Sequence, residues 1–206
     1  MPTPPPTTPG VALLVPVKAF TEAKGRLAGV LSPAQRVDLA RRMATIVVRA
    51  GSPLPVHVVC DDEAVARWAR SLGAEVLWRP GRGLNQAVSE GVTALHDAGY
   101  SQAVVAHADL PLATSMAWIG AFDGVTIVPD RRGDGTNAIA VPTASGFAFA
   151  YGPGSFHHHA AEARRRGLGL RVVRDRPLGF DVDLPGDLAE AADRSAELAD
   201  FRVPPG

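Results

Sequence analysis

The stretch Val104-Val105-Ala106-His107-Ala108-Asp109-Leu110-Pro111-Leu112 decides the fold class. An apolar run leads to one carboxylate before Leu-Pro ends it, which predicts a strand over Val104–Asp109. Such a run is typical of a central strand in a parallel sheet, because helices cover both faces. Ligands of open α/β sheets bind outside the carboxyl ends of the strands. We therefore expect Asp109 to lie where a metal ion or a phosphate binds, the alternative being a cap of the next turn.

Three further apolar runs of strand length precede this stretch, and helical patterns separate them. Their bounds are Val11–Val17, Val56–Cys60 and Ala74–Trp78. The first helix is predicted to begin after Ser32, which forms a capping box with Gln35. The order β-α-β-α-β-α-β predicts an α/β three-layer sandwich with a mostly parallel central sheet and right-handed crossovers.

The second half of the chain departs from this alternation. Val125–Val128 and Ala138–Val141 are short apolar runs on either side of a polar turn. They predict a small antiparallel insertion packed beside the main sheet. Leu170–Val173 is a further predicted strand, and a last helix is predicted to begin at Pro185.

Composition narrows the class of protein. The chain has 206 residues, of which 46% are hydrophobic and 20% are charged, and its formal net charge is zero. The zero charge gives no reason to expect a nucleic-acid or anionic-membrane partner. The single cysteine, Cys60, excludes an internal disulfide and suits a reducing cytoplasm, where we expect the protein to be located. We expect residues 1–10, which are rich in proline, to form a flexible tail and residues 11–200 to form one domain.

A cationic loop follows the first predicted strand. Lys18, Lys24 and Arg26 lie within nine residues at the edge of the sheet where ligands bind. Lysine and arginine at such a place can neutralise a polyphosphate. The alternative is a solvated surface loop. The glycine-rich loop of Walker-type nucleotide hydrolases is absent from the sequence.

Two more loops are predicted to reach the same edge. Gly83 allows a ligand to approach the backbone closely, and Asn85 can donate and accept hydrogen bonds at the start of the next helix. The turn Asp130–Asn137 offers glycine amides, guanidinium groups and the hydroxyl of Thr136, a set that suits a small acidic ligand. A plain hairpin turn is the alternative. Asp134 adds a negative charge that would oppose an anion if it pointed inward.

Polar residues also surround two predicted helix starts. Asp61-Asp62-Glu63 opens the second helix, and we interpret these carboxylates as caps rather than metal ligands. Ser155 is predicted to cap a helix over Phe156–Arg166, whose free amides could bind an anion. The consecutive His157, His158 and His159 cannot all bind one ion, and we expect them mostly on the helix surface, the alternative being that one of them faces the site.

Asp181 and Asp183 alternate around Val182 near the end of the domain. In an extended segment both carboxylates face the same side. They would repel each other unless a cation or a proton lay between them. A divalent ion with open water positions satisfies this arrangement, and Mg²⁺ is the ion that usually accompanies phosphate chemistry.

Taken together, these motifs resemble those of the 2-phospho-L-lactate/phosphoenolpyruvate guanylyltransferase family of deazaflavin (coenzyme F-420) biosynthesis. The resemblance covers roughly residues 11–190 and rests on the order in which these motifs follow one another. The matching residues are Val15-Pro16-Val17-Lys18, Ala23-Lys24-Gly25-Arg26-Leu27, Gly83-Leu84-Asn85, Ala108-Asp109-Leu110-Pro111, Asp130-Arg131, Gly135-Thr136-Asn137-Ala138, Gly152-Pro153-Gly154-Ser155-Phe156 and Asp181-Val182-Asp183.

The resemblance implies a Rossmann-like nucleotidyltransferase fold of the GT-A-like kind and a reaction that uses GTP. The phosphate of a small phosphorylated carboxylic acid would attack the α-phosphate of GTP, and pyrophosphate would leave. The roles that it implies are Mg²⁺ binding for Asp109, Asp181 and Asp183, nucleotide binding for Lys18, Lys24, Arg26, Gly83 and Asn85, and acid binding for Thr136, Gly152 and Ser155. Lys18, Lys24, Arg26 and Asp109 would form the catalytic set.

Several alternatives stay open at this point. The acceptor is phosphoenolpyruvate or 2-phospho-L-lactate, and the resemblance favours phosphoenolpyruvate. Another nucleotidyltransferase, of the molybdopterin guanylyltransferase or sugar-nucleotide kind, usually carries a glycine-rich loop where this chain has Lys18-Ala19-Phe20. A GTP-binding module without turnover, or a structural partner in an assembly, is a different class. A homodimer is compatible with the zero net charge.

Overall fold

A computed structural model describes residues 10–202. The predicted flexible tail therefore lies, except for Gly10, outside the described residues. The strands are β1 (Val11–Pro16), β2 (Val56–Cys60), β3 (Glu75–Trp78), β4 (Gln102–Ala106), β5 (Val125–Pro129), β6 (Thr136–Pro142) and β7 (Leu170–Val172). The α-helices are α1 (Pro33–Ala50), α2 (Glu63–Ser71), α3 (Leu84–Asp97), α4 (Ser155–Arg165) and α5 (Pro185–Arg194).

The strands form one seven-stranded sheet in the order β3-β2-β1-β4-β6-β5-β7. The first four strands run parallel, as predicted, and β7 runs parallel to β5. The predicted antiparallel pair is present, and it extends the main sheet because β6 is hydrogen-bonded between β4 and β5. Since β6 runs opposite to β4, Thr136 at its start lies at the same edge of the sheet as the carboxyl end of β4.

The quoted stretch forms the central strand, with shifted bounds. β4 begins at Gln102 and ends at Ala106, so the predicted strand over Val104–Asp109 is wrong at both ends. Asp109 lies in the turn that follows, and all five residues of β4 are buried. The carboxylate is therefore carried by a turn that can fold back over the edge of the sheet.

Two apolar layers cover the faces of the sheet, which confirms the three-layer sandwich. Successive side chains of β1 alternate between them, with Leu13 facing α1 and α2 and Leu14 facing α3 and α4. A third cluster joins α1 to α5 through Leu39, Met43 and Leu188. This last contact holds α5 against the body of the molecule and fixes the segment that precedes it.

Helix caps follow the sequence closely in two cases. The capping box of α1 is confirmed, with the Gln35 amide donating to Ser32 Oγ and the Ser32 amide donating to Gln35 Oε1. Asp62 caps α2 by accepting a hydrogen bond of 2.9 Å from the Val65 amide. These bonds satisfy amides that a helix start leaves without partners.

The start of α4 differs from the prediction. Gly154, in a left-handed conformation with φ of 72°, is the N-cap, and Ser155 is the first helical residue. Ser155 is 2% exposed, and its Oγ accepts from the Thr136 amide at 3.0 Å. His159 is fully buried, whereas His157 and His158 are exposed, so His159 is the one histidine of the three that faces inward. No helix of residues 10–202 has the length and apolarity needed to cross a membrane.

Candidate active site

Lys24 is at the centre of a cluster of charged groups beyond the carboxyl end of β4. Its Nζ lies 2.6 Å from Asp109 Oδ2, 2.5 Å from the carbonyl oxygen of Val182 and 3.5 Å from Asp183 Oδ1. The three residues come from the loop after β1, the turn after β4 and the segment before α5. The structure thus brings together side chains that lie up to 159 positions apart in the sequence.

Backbone features hold this cluster in place. Lys24 is the one non-glycine residue with positive φ, 56°, among residues 10–202, a left-handed conformation that costs about 1–2 kcal/mol. The Val182 amide donates to the carbonyl of Asp109 at 3.3 Å. Asp187 in α5 is 3% exposed and accepts from the amides of Asp183 and Leu184 at 3.0 and 2.7 Å. The segment from Asp181 to Asp183 is therefore held by α5 on one side and by the turn that contains Asp109 on the other.

Burial and mutual attraction set the charges of the cluster. Burial opposes the charge of Lys24, but Asp109 and Asp183 outweigh it and hold the pKa of Lys24 above its usual value. Burial likewise opposes ionisation of Asp109, and the Lys24 ammonium reverses the balance and lowers the pKa of Asp109. Asp181 has no such cation, and burial together with the charges of Asp109 and Asp183 raises its pKa.

The same atoms test whether a divalent cation fits. Among residues 10–202, the buried carboxylate oxygens Asp109 Oδ1 and Asp181 Oδ1 have no hydrogen-bond partners, and both are hard donors of the kind that Mg²⁺ prefers. Asp183 is instead engaged by Lys24 and, at 3.4 Å, by Arg26. Within the described part of the chain no three acidic, histidine or cysteine groups are arranged to hold a metal ion. The fit is therefore to an ion bound by two carboxylates and completed by substrate oxygens, which is common for Mg²⁺.

The remaining predicted cations lie on the rim. Lys18 is exposed and lines a cleft that also contains Lys24 and Asp109. The Arg26 side chain is 74% exposed and contacts Asp183. Lys18 is thus exposed to the cleft and Arg26 to solvent beside Asp183, whereas the Lys24 ammonium is already enclosed by its partners.

The glycine and asparagine loop has mainly a structural role in these contacts. Gly83 is the N-cap of α3. Asn85 Oδ1 accepts from the Tyr151 amide at 2.6 Å, and its Nδ2 donates to the Tyr151 carbonyl at 3.4 Å. Asn85 therefore ties α3 to the loop before α4, and no contact with the charged cluster involves it.

Thr136, Gly152 and Ser155 come together, as their predicted common role requires, but they bond to one another: the Ser155 amide donates to the Gly152 carbonyl at 3.1 Å, and Ser155 Oγ accepts from the Thr136 amide at 3.0 Å. Thr136 is 1% exposed, and its hydroxyl lies 3.0 Å from His159 Nδ1. Asp134 is exposed, and its carboxylate accepts from the Gly154 amide at 3.1 Å. An aspartate of the chain thus already occupies part of the helix start that was expected to bind an anion.

Two groups beside the cluster were not predicted. His107 lines the cleft, and in the described part of the chain its buried Nε2 has no hydrogen-bond partner. The ring of Tyr151 lies 5.1 Å from that of His107, and burial raises the pKa of the Tyr151 hydroxyl, whose oxygen likewise has no partner among the described residues. His107 is the first residue after β4 and stands two positions before Asp109. Its position at the carboxyl end of this strand is the sequence signal that could have indicated its place in the cleft.

The part of the chain that matches known proteins coincides with the sheet and its helices, from β1 to α5. The family described as "Guanylyl transferase CofC like" matches residues 11–193. The chain belongs to this family. A protein from Sphaerobacter thermophilus named phosphoenolpyruvate guanylyltransferase is 37% identical over 87% of this chain and 91% of its own. One of the same name from Rubrobacter xylanophilus is 39% identical over 87% and 92%.

A relative with a different name is nearly as similar, and solved structures share the fold. The 2-phospho-L-lactate guanylyltransferase of Methanothermobacter thermautotrophicus is 31% identical over 86% of this chain and 82% of its own. A nucleotidyl transferase from the same genus matches with a TM-score of 0.66 at 17% identity, covering 90% of this chain and 96% of its own. A cytidylyltransferase from Leptospira borgpetersenii matches with a TM-score of 0.58 at 11% identity, covering 93% and 91%. The nucleotidyltransferase fold is thereby confirmed.

Proposed function

We propose that this protein transfers GMP from GTP to phosphoenolpyruvate and releases pyrophosphate, as a step in coenzyme F-420 biosynthesis. The observation that carries the proposal is the family match over residues 11–193, together with relatives of 37 and 39% identity named phosphoenolpyruvate guanylyltransferase. The relative named for 2-phospho-L-lactate, at 31% identity, makes that acid the second candidate acceptor.

The charged cluster supports nucleotidyl transfer. Lys18 and Arg26 bind the triphosphate from the rim, where neutralising its charge favours approach of a second anion. Lys24 holds Asp109 and Asp183 in fixed positions, so that the groups around the reacting phosphates are preorganised. An oxygen of the acid's phosphate attacks the α-phosphorus of GTP, and the bond from that phosphorus to the pyrophosphate oxygen breaks. The attacking phosphate is already ionised near neutral pH, so no general base is required.

Asp109 and Asp181 are the residues that would hold Mg²⁺, with Asp183 adjacent. The bound ion would neutralise charge on the phosphates and orient the reacting groups. The ion would give each of these two carboxylate oxygens a partner, and its charge would offset the burial and the repulsion from Asp109 and Asp183 that together raise the pKa of Asp181.

The acceptor acid is placed beside the start of β6 and the loop before α4. Gly152 has a φ of 132° and open space where a side chain would project, so its backbone can be approached closely. Thr136 and Ser155 support this loop from inside by their mutual hydrogen bond. Because Asp134 already accepts from the Gly154 amide, the acid must bind elsewhere along the loop or displace that carboxylate.

Pyrophosphate release tests the proposal directly. We expect release with Mg²⁺, GTP and phosphoenolpyruvate, and none when ATP or CTP replaces GTP or when EDTA removes the metal. Separate reactions with 2-phospho-L-lactate and 3-phosphoglycerate identify the acceptor. Silence with GTP and every acid would contradict the proposed activity and favour a GTP-binding module.

Carboxylate variants test the residue assignment. Asp109→Asn and Asp181→Asn should each lower turnover by at least about 100-fold while far-UV circular dichroism stays unchanged, since each removes a charge meant for the metal. Asp193→Asn is the matched control, because Asp193 is exposed on α5 and its carboxylate forms an ion pair with Arg202, away from the cluster. Near wild-type rates for either cluster variant would refute the metal assignment.

A further inference from the structure

A second cleft continues from the active site along the carboxyl ends of β1 and β2. It is lined by Asp61, Arg82 and Ala87, and it shares Pro16, Val17, Lys18 and Leu84 with the cleft that contains Lys24 and Asp109. The two clefts therefore form one groove. One end has the charges suited to phosphates, and the other has apolar walls and three separate charged groups, Asp61, Arg79 and Arg82.

Asp61 has no structural task that explains it. Its neighbour Asp62 caps α2, and Glu63 pairs with Arg67 at 3.2 Å. Asp61 is exposed at the end of β2, and in the described part of the chain its carboxylate takes part in no hydrogen bond or ion pair. The expectation of a cap is therefore wrong for this one residue of the acidic triplet.

Arg82 lies on the same groove with part of its guanidinium unused. Its Nε is 3.0 Å from Glu90 Oε1, while the other oxygen of Glu90 lies 3.3 Å from Arg79 Nε. Arg79 also donates from Nη1 to the Trp78 carbonyl. Among residues 10–202, the Nη groups of Arg82 have no hydrogen-bond partner. They can therefore donate to a ligand, whereas Nη1 of Arg79 already donates to the backbone.

We propose that Asp61 reads the guanine base of GTP by accepting hydrogen bonds from its N1–H and its 2-amino group, while Arg82 donates to O6 and N7. This inference rests on the proposed function and supplies its base selectivity. Guanine offers two adjacent donors, which match the two oxygens of one carboxylate. Adenine and cytosine present ring-nitrogen acceptors at the corresponding positions, so a carboxylate repels them. Arginine is the side chain that most often pairs with O6 and N7 of guanine.

The spacing of the strands agrees with this placement. β2 and β4 lie on either side of β1, so they are separated by two inter-strand spacings of about 4.8 Å each. Asp61 follows β2 directly and Asp109 follows β4. One nucleotide can therefore lie across the end of β1 with its base at Asp61 and its phosphates between Lys18 and Asp109. Val17, Leu84 and Ala87 supply the apolar surface that covers the faces of the ring.

The test is a change of nucleotide preference in Asp61→Asn. Xanthine carries an oxygen where guanine carries the 2-amino group, so an asparagine at this position can donate to that oxygen and accept from N1–H. We expect the variant to lose about 100-fold in kcat/KM for GTP, the effect of two charge-assisted hydrogen bonds, and to gain at least about tenfold for xanthosine triphosphate. The wild type should use inosine triphosphate, which lacks the 2-amino group, about tenfold less well than GTP.

Controls separate this inference from the proposed function. Glu63→Gln, an exposed neighbour, should keep the wild-type preference. The shift of the melting temperature by each nucleotide gives a readout that needs no turnover. If the wild type releases no pyrophosphate, the proposed activity fails, and the thermal shifts alone then decide the role of Asp61. A variant that keeps its preference for GTP, or that loses GTP without gaining xanthosine triphosphate, overturns the assignment to base reading.

Discussion

The ammonium group of Lys24 lies between two carboxylates that would otherwise repel each other, and its side chain is 9% exposed. Removing one partner of a buried ion pair leaves an uncompensated charge and commonly costs about 3–5 kcal/mol. We expect the free energy of unfolding of Lys24→Met, measured by urea denaturation, to be lower than that of the wild type by an amount in this range. Arg26→Met should cost about 1 kcal/mol or less, because the Arg26 side chain is 74% exposed. Equal losses in the two variants would refute the central position of Lys24.

Sequence reasoning found these charged residues but not how they pair. The order of apolar runs places the loop after β1, the Asp109 turn and the Asp181 to Asp183 segment at one edge of the sheet. It does not reveal which cation enters between the carboxylates. The pairing depends on the left-handed backbone of Lys24 and on the hydrogen bonds that the Asp187 carboxylate accepts from the Asp183 and Leu184 amides. Neither feature was read from the local sequence.

At the scale of the element, α4 has one buried titratable group. His159 Nε2 accepts from the Ala150 amide at 3.0 Å, so its proton resides on Nδ1 and is donated to Thr136 Oγ1. Burial, with smaller contributions from His107 and His158, lowers the pKa of His159 from 6.5 to about 4. Protonation of Nε2 would break the bond to the Ala150 amide.

This pKa predicts how the stability of the fold depends on pH. The unfolded chain binds the proton near pH 6.5 and the folded chain only near 4, so the contribution of His159 is full above pH 6.5 and is lost as the pH falls towards 4. The slope is at most about 1.4 kcal/mol per pH unit. Urea unfolding of His159→Gln should show a shallower decline between these values than the wild type. His157→Gln, on the exposed face, should keep the wild-type slope, and parallel curves for all three proteins would contradict the assignment.

The same helix shows what periodicity can and cannot predict. Three consecutive histidines give no indication of which one faces inward. Ser155, His159 and Ala163 are spaced by four residues and form the buried face, so the small residues at either end of this row were the available signal. The prediction placed the cap one residue late because serine is a common N-cap, whereas the left-handed turn here requires glycine at position 154.

At the scale of the molecule, the parallel half of the sheet follows from alternating apolar and helical segments, and β2 has the predicted bounds. The place of β6 does not follow, because two short antiparallel runs are equally compatible with a hairpin beside the sheet. Burial decides this point, since six of the seven residues of β6 are buried. A strand buried on both faces must lie inside a sheet rather than at its surface.

This continuity predicts that the described part of the chain unfolds as one unit. The clusters on the two faces of the sheet share β1 and β4, and the cluster between α1 and α5 is joined to them through α1. Tryptophan fluorescence, which includes Trp68 beside α1, and far-UV circular dichroism should therefore report the same urea midpoint. GTP with Mg²⁺ at 100 times its dissociation constant should raise the free energy of unfolding by about 2.7 kcal/mol, and both probes should report the same rise in urea midpoint. Two separate transitions, or a shift seen by one probe alone, would show that the nucleotide groove and the rest of the sheet unfold independently.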